Sequence, residues 1–268
     1  MIISLVRQWI VAPFSQYRLF RNFAKQDFLG QFVASAGGFL WLFITPIVQI
    51  VMYAFIFRYV FGMRGAAGFE QTSFVVFMMV GYLPWFAFAD ALGKAPGLLL
   101  EKAPLITKVM FPVEILPGVG TLVPYITHSI GFGLLLVYLA FLGHLSWMWL
   151  WIVPVFILQF LFTMGLVALL SALCVFLRDL QQLVGLLVFI WFFLTPIVYP
   201  IDMIDNQTVQ TLYLLNPMHS FVSFYREVIL LGEFPLIHFQ ILLPVSLIVY
   251  CLGGWVFMRV KHAFGDVL

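Results

Sequence analysis

Long apolar stretches, each closed by a proline, a glycine or a charge, divide the chain into segments. Six are long enough to cross a bilayer core of roughly 30 Å as helices: residues 32–57, 73–92, 115–142, 147–176, 181–199 and 236–258. No segment shows the apolar–polar alternation of a membrane β-barrel. The pattern predicts an all-α polytopic membrane protein with about six transmembrane helices in one domain over residues 1–268. Ahead of the first span, Ile2, Val6, Trp9, Ile10, Pro13, Tyr17 and Phe20 fall near one helical face, with Arg7, Gln8, Ser15 and Asn22 off it. That spacing predicts an amphipathic interfacial segment over residues 1–31, broken near Pro13.

Residues 200–235 break the pattern. The stretch "TPIVYPIDMI" (195–204) closes an apolar run with two prolines, and the residues beyond it are too apolar for a solvated loop. Over 220–231, Phe221, Phe224, Tyr225, Val228 and Ile229 recur at helical spacing. As a helix this piece is only about 18 Å long at 1.5 Å per residue. Backbone that dips into a membrane without crossing it must be covered by protein or line a cavity. A re-entrant hairpin hinged at Leu215, Asn216 and Pro217 is therefore predicted over the mouth of a passage.

Composition and charge add direction. Of 268 residues, 64% are hydrophobic and only 9% charged, against about 25% charged in soluble domains. With the N-terminus inside, ten basic residues are cytoplasmic: Arg7, Arg18, Arg21, Lys25, Lys94, Lys102, Lys108, Arg178, Arg259 and Lys261. Only Arg58, Arg64 and Arg226 fall outside. The positive-inside rule then places both termini in the cytoplasm and the 200–235 hairpin on the outer side. The basic N-terminal stretch lacks an apolar core with a small-residue cleavage site, so it is not expected to be a signal peptide.

Little catalytic chemistry is legible. Gly93-Lys94 lacks the phosphate-loop frame, and neither G-x-S-x-G nor H-E-x-x-H occurs. Cys174 and Cys251 lie in apolar segments and are expected to pack, so no disulfide, metal or cofactor is expected, and no nucleic-acid partner. Asp90 and Lys94 have the i, i+4 spacing of a local ion pair. Arg178-Asp179 reads as a charged turn with Asp179 as helix N-cap, or as a substrate contact. Trp147, Trp149 and Trp151 read as interfacial anchors. Asp202, Asp205, His219, Glu227 and His238 would serve an enzyme acting on lipid-linked sugars, yet they show no paired spacing. A transporter with no energy source of its own needs a partner that supplies one. The longest cytoplasmic connection, "GKAPGLLLEKAPLITKVMFPVEILP" (93–117), is cut by prolines into short amphipathic pieces. These suit docking on such a partner or resting on lipid headgroups.

Within that connection, "PLITKVMFPVEILP" (104–117) resembles the coupling loop of type-2 ABC exporter permeases. The stretches "FLRDLQQLV" (176–184), "LTPIVYP" (194–200), "LNPMHSFVSFYREVIL" (215–230) and "GFLWLFITPIVQIVMYAFIF" (38–57) match further blocks of that family in order. The resemblance spans nearly the whole chain and is strongest to the branch that exports O-antigen and teichoic-acid-type polysaccharides. It implies a homodimer in the bacterial inner membrane, a separate cytoplasmic ATPase subunit, a lipid-linked polysaccharide as cargo, and no catalysis by the chain itself. A drug, haem or small lipid is the alternative cargo. Pro104 and Val113 depart from the usual asparagine and arginine, leaving Leu105, Ile106, Lys108, Phe111, Pro112 and Glu114 as the implied ATPase-coupling residues.

The resemblance also implies that the first and fifth spans line the passage. They carry Phe39, Phe43, Tyr53 and Phe57 on one stripe and Phe189, Phe192 and Tyr199 on the other. From the residues alone, such stripes either pack or form a track on which sugars stack. At the outer gate the candidates are Tyr199, Pro200, Asn216, Pro217, Tyr225 and Arg226. Arg226 is expected to pair with Glu227 or Glu233, or to meet a lipid-linked phosphate.

Overall fold

The computed structural model describes residues 2–33, 35–62, 65–66, 69–108, 111–201 and 206–268. Helices α1 (Ile2–Ser15) and α2 (Tyr17–Gly30) precede α3 (Trp41–Phe55), which ends in a π-helical turn, Ile56–Val60. An antiparallel ribbon of β1 (Gly65–Ala66) and β2 (Phe69–Ser73) leads into α4 (Phe74–Lys94). Short helices α5 (Gly97–Leu100) and α6 (Ala103–Lys108) connect to α7 (Leu116–Phe141). Then come α8 (Ile152–Phe176), α9 (Leu180–Phe193), α10 (Gln207–Tyr213) and α11 (Pro217–Arg226), the last extended by a π turn, Glu227–Leu231. The chain closes with α12 (Leu236–Val260) and α13 (Phe264–Val267).

Among the described residues, five helical stretches are long and apolar enough to cross a membrane: Gly38–Phe55, Phe74–Lys94, Val113–Phe141, Trp147–Phe176 and Leu236–Val267. The chain is a multi-pass α-helical membrane protein. The span expected over 181–199 differs. Its helix, α9, has 14 residues, about 21 Å at 1.5 Å per residue. Pro196 stops it: it has no N–H to give, and its ring disfavours helical backbone at Thr195. The Thr195 hydroxyl instead donates back to the Trp191 carbonyl, at 2.9 Å. The ribbon was not expected either; its strands are too short to set an alternation against the apolar background.

The packed centre is built from α4, α7, α8 and α12. Two glycines set the α8–α12 spacing. A Cβ on Gly253 would run into the Gly165 backbone, and one on Gly165 into the backbone at Val249 and Tyr250. Small residues let helices approach this closely where lipid offers no hydrophobic drive between them. One group of buried polar side chains is paired across helices, as a dry interior favours. Gln159 Nε2 donates to the Pro84 carbonyl at 2.9 Å, and its Oε1 accepts from Tyr225 Oη at 2.8 Å. Tyr125 and Thr163 hydroxyls meet at 2.6 Å beside them.

The N-terminal helices are anchored to the bundle more firmly than an interfacial segment requires. Trp9 is fully buried, 5.8 Å from both Tyr250 and Phe257 between ring centres. Ala24 of α2 packs with Val119 and Val123 of α7. Asp27 pairs with Lys102 at 3.0 Å. The break between the two helices falls at Gln16, after Pro13 has been taken into the last turn of α1.

Candidate functional site

The two expected passage-lining elements, α3 and α9, are the least buried long apolar helices. Only Leu42 is buried in α3 and only Val184 in α9. Phe39, Phe43 and Phe189 are 50%, 45% and 62% exposed, with Phe39 packed on one side against Phe32 and Phe189 against Phe193. The other stripe residues are spent on packing. Tyr53 donates its hydroxyl to that of Tyr82 at 3.2 Å, and Phe57 packs on Phe74 with ring centres 5.1 Å apart. Phe192 packs edge-on against Tyr82 and Trp85. Tyr82 of α4 therefore bridges α3 and α9, a role the stripe spacing could not reveal. One turn further along α4, Phe86 stacks on Tyr82 at 4.1 Å and lies 6.2 Å from His128. The next turn holds Asp90, which pairs with Lys94 at 3.0 Å as expected and also approaches His128 at 3.5 Å.

The chain passes from α10 to α11 through Leu214, Leu215 and Asn216. Asn216 caps α11, its Oδ1 accepting from the Met218 N–H at 3.1 Å and from Trp191 Nε1 at 2.8 Å. Its Nδ2 donates to the Leu194 carbonyl at 3.0 Å. One side chain thus starts the hairpin helix and ties it to the end of α9. Pro217 occupies the first helical position, where its missing N–H goes unmissed. Tyr199 donates to the Phe193 carbonyl at 2.7 Å and meets the Tyr213 hydroxyl at 3.1 Å, joining the 194–201 leg to α10. Pro200 ends that leg beside Ile201.

Two expected gate residues, Tyr225 and Arg226, are buried. Tyr225 is fully buried and committed to Gln159. Arg226 pairs with neither Glu227 nor Glu233. Its guanidinium donates to the carbonyls of Phe77 (3.1 Å), Pro196 (2.7 Å) and Ile197 (2.7 Å) and lies 3.6 Å over the Phe77 ring. Burial lowers it to about 9, which leaves it cationic at neutral pH. The correction is geometric: residues i and i+1 leave a helix in different directions, so Glu227 faces His238 instead, at 3.4 Å. His219 and His238 stand edge-to-face at 5.6 Å, so three groups that looked scattered in sequence converge. Asp202 and Asp205 lie outside the described residues.

At the other end of the bundle, Leu105 and Ile106 of α6 are half-buried, while the Lys108 side chain lies outside the described residues. Pro112 leads the short turn Val113–Ile115. Phe111 packs on Phe23 at 5.0 Å, and Glu114 pairs with Lys261 at 3.5 Å. The segment is braced by α2 and by the end of α12, so Glu114 already has an internal partner. Asp179 stands at the start of α9 but makes no side-chain cap bond. Trp149 donates to the Ile229 carbonyl at 3.3 Å, and Trp151, itself exposed on one side, packs on Phe234 at 4.6 Å, so both brace this region, while Trp147 is the most exposed of the three.

Comparison with known proteins gives this geometry a family. Residues 18–230 match the ABC-2 type transporter family, and the chain belongs to it. It is similar to the O-antigen export system permease protein RfbA of Myxococcus xanthus, 33% identical over 226 residues, covering 82% of this chain and 83% of that protein. It is also 26% identical over 246 residues to the protein of the same name from Klebsiella pneumoniae, covering 91% and 92%. Membership of an ABC transporter family implies a partner subunit that hydrolyses ATP.

Proposed function

We propose that the chain is the permease subunit of an ABC exporter that moves a lipid-linked, O-antigen-type polysaccharide across the bacterial inner membrane. The observation that carries this reading is similarity over four-fifths of the chain to a permease of O-antigen export. The exposed aromatic flanks of α3 and α9 support it. Sugars stack on aromatic faces weakly and repeatedly, which suits a cargo that must slide, and Phe39, Phe43 and Phe189 offer such faces.

In this reading two copies pair through α3 and α9 and enclose the passage between them. Both termini and the 93–117 segment face the cytoplasm, where α6 and Phe111 take up the motion of a separate ATPase. The leg 194–201 completes the fifth pass that α9 begins, and the 200–235 hairpin, held by Asn216 and Arg226, is the outer gate. ATP binding closes the ATPase pair, shifts the braced coupling segment and opens the passage.

Deletion of the gene, with complementation by the intact chain, tests the reading. Loss of surface polysaccharide with accumulation of its lipid-linked form inside the cell is expected. Normal surface polysaccharide in the deletion strain would refute it. Singly placed cysteines probed from outside should label near residue 206 and not near residue 100.

A further inference from the structure

Helix α11 and the turn that extends it set His219, Ser223 and Glu227 along one side at four-residue spacing. His238, at the start of α12, comes in from the end, and the proline-rich leg 196–201 forms an apolar wall opposite. Together with α10 these enclose a cavity of about 350 Å³, near the small end of the roughly 300–1,000 Å³ usual for small-molecule sites.

The cavity holds charges of both signs. Arg226 spends three donors on backbone carbonyls, and Glu227, on the next position of the helix, is met by His238 Nε2 at 3.4 Å. His219 is held down to about 3 by burial, then by His238 and Arg226, so it is neutral at pH 7. A phosphate would meet the Glu227 carboxylate, and a cation would meet Arg226. What remains is a mixed set of donors and acceptors. The Ser223 hydroxyl lies 3.4 Å from His219 Nδ1, and His238 Nδ1 is buried with no hydrogen-bond partner.

We propose that this cavity is a binding subsite for one neutral pyranose ring, a single sugar unit of the glycan as it passes the outer hairpin. Ring hydroxyls alternate donor and acceptor and match Ser223, Glu227 and His238, while the C–H face of the sugar rests on Pro196 and Pro200. The origin of the sugar rests on the glycan-export reading; the binding chemistry rests on the cavity alone.

Saturation-transfer NMR on the full-length chain in lipid nanodiscs tests it. The probes are methyl α-glucopyranoside, methyl α-mannopyranoside and the methyl glycoside of N-acetylglucosamine, against glucosamine and N-acetylneuraminic acid as charged controls. At least one neutral glycoside should give a signal five-fold or more above both charged sugars. That signal should fall at least five-fold in Ser223→Phe, which fills the cavity, and in Glu227→Gln, which keeps the shape should the larger substitution fail to fold. No signal from any neutral glycoside, a preference for a charged sugar, or equal signals in the folded variants would overturn the proposal. Intact export without glycoside binding sinks the subsite alone. Glycoside binding in a chain whose deletion leaves surface polysaccharide normal sinks the export reading alone.

Discussion

At Arg226 a single cation satisfies the carbonyls of Phe77, Pro196 and Ile197, which come from α4 and from the leg after α9. The Pro196 and Ile197 carbonyls are open because proline at 196 ends the helical pairing of α9, whereas the Phe77 carbonyl lies inside α4 and takes Arg226 Nε as a further donor. Arg226→Ala should cost about 4.5–9 kcal/mol, since it removes three hydrogen bonds from a charged group at about 1.5–3 kcal/mol each. Arg226→Lys should recover only part, because an ammonium cannot copy the planar fork. Thermal unfolding of the purified variants in nanodiscs reads both effects, and an alanine variant as stable as the parent would remove Arg226 from this role. His219 makes a second prediction. Its folded value near 3 lies below the usual value of about 6.5, so only the unfolded chain takes up its proton between those limits. Stability from this group is complete above about pH 6.5 and is lost as pH falls toward 3. A melting temperature that declines from pH 7.5 to pH 4.5, with a shallower decline in His219→Gln, is the expected result. None of this was legible at 226–227, where adjacency of opposite charges suggested a pair that helix geometry forbids.

Among the elements, the spans could be read from apolar run length because a dry membrane leaves helices few alternatives. The shortfall at α9 could not: hydropathy continues past Pro196 while the backbone stops, and only the bond from Thr195 to Trp191 shows where. Contacts between elements were equally hidden. His238 lies nineteen positions beyond His219, and no periodicity joins them. Gly165 and Gly253 carry the firmest prediction at this scale. Gly253→Leu should abolish a monodisperse purified protein, and Gly253→Ala should lower its melting temperature, because the added carbon meets backbone that cannot swing aside. Gly133→Ala on α7, with open space around it, is the neutral control. The brace between Glu114 and Lys261 makes a charge-swap test. Glu114→Lys and Lys261→Glu should each destabilise, and the double exchange should restore up to about 1 kcal/mol, the range for partly exposed pairs. Additive losses in the double variant would mean that the two side chains do not interact.

For the whole molecule, a firm centre of α4, α7, α8 and α12 carries loosely held flanks in α3 and α9. Alanine at Phe39, Phe43 and Phe189 together should leave folding nearly intact, because exposed side chains contribute within about 0.5 kcal/mol each. Export measured as surface polysaccharide should fall about ten-fold in the same variant; unchanged export would assign those rings to lipid contact. The glycine contact between α8 and α12 has a further consequence. With backbone against backbone and no side chains between them, that pair can neither slide nor turn, and works as a keel. On the proposed reading, cargo preference drifts by changes in the flanks while the keel stays fixed. Grafting α3 and α9 from a relative with a different glycan onto this centre is the natural way to re-aim the exporter.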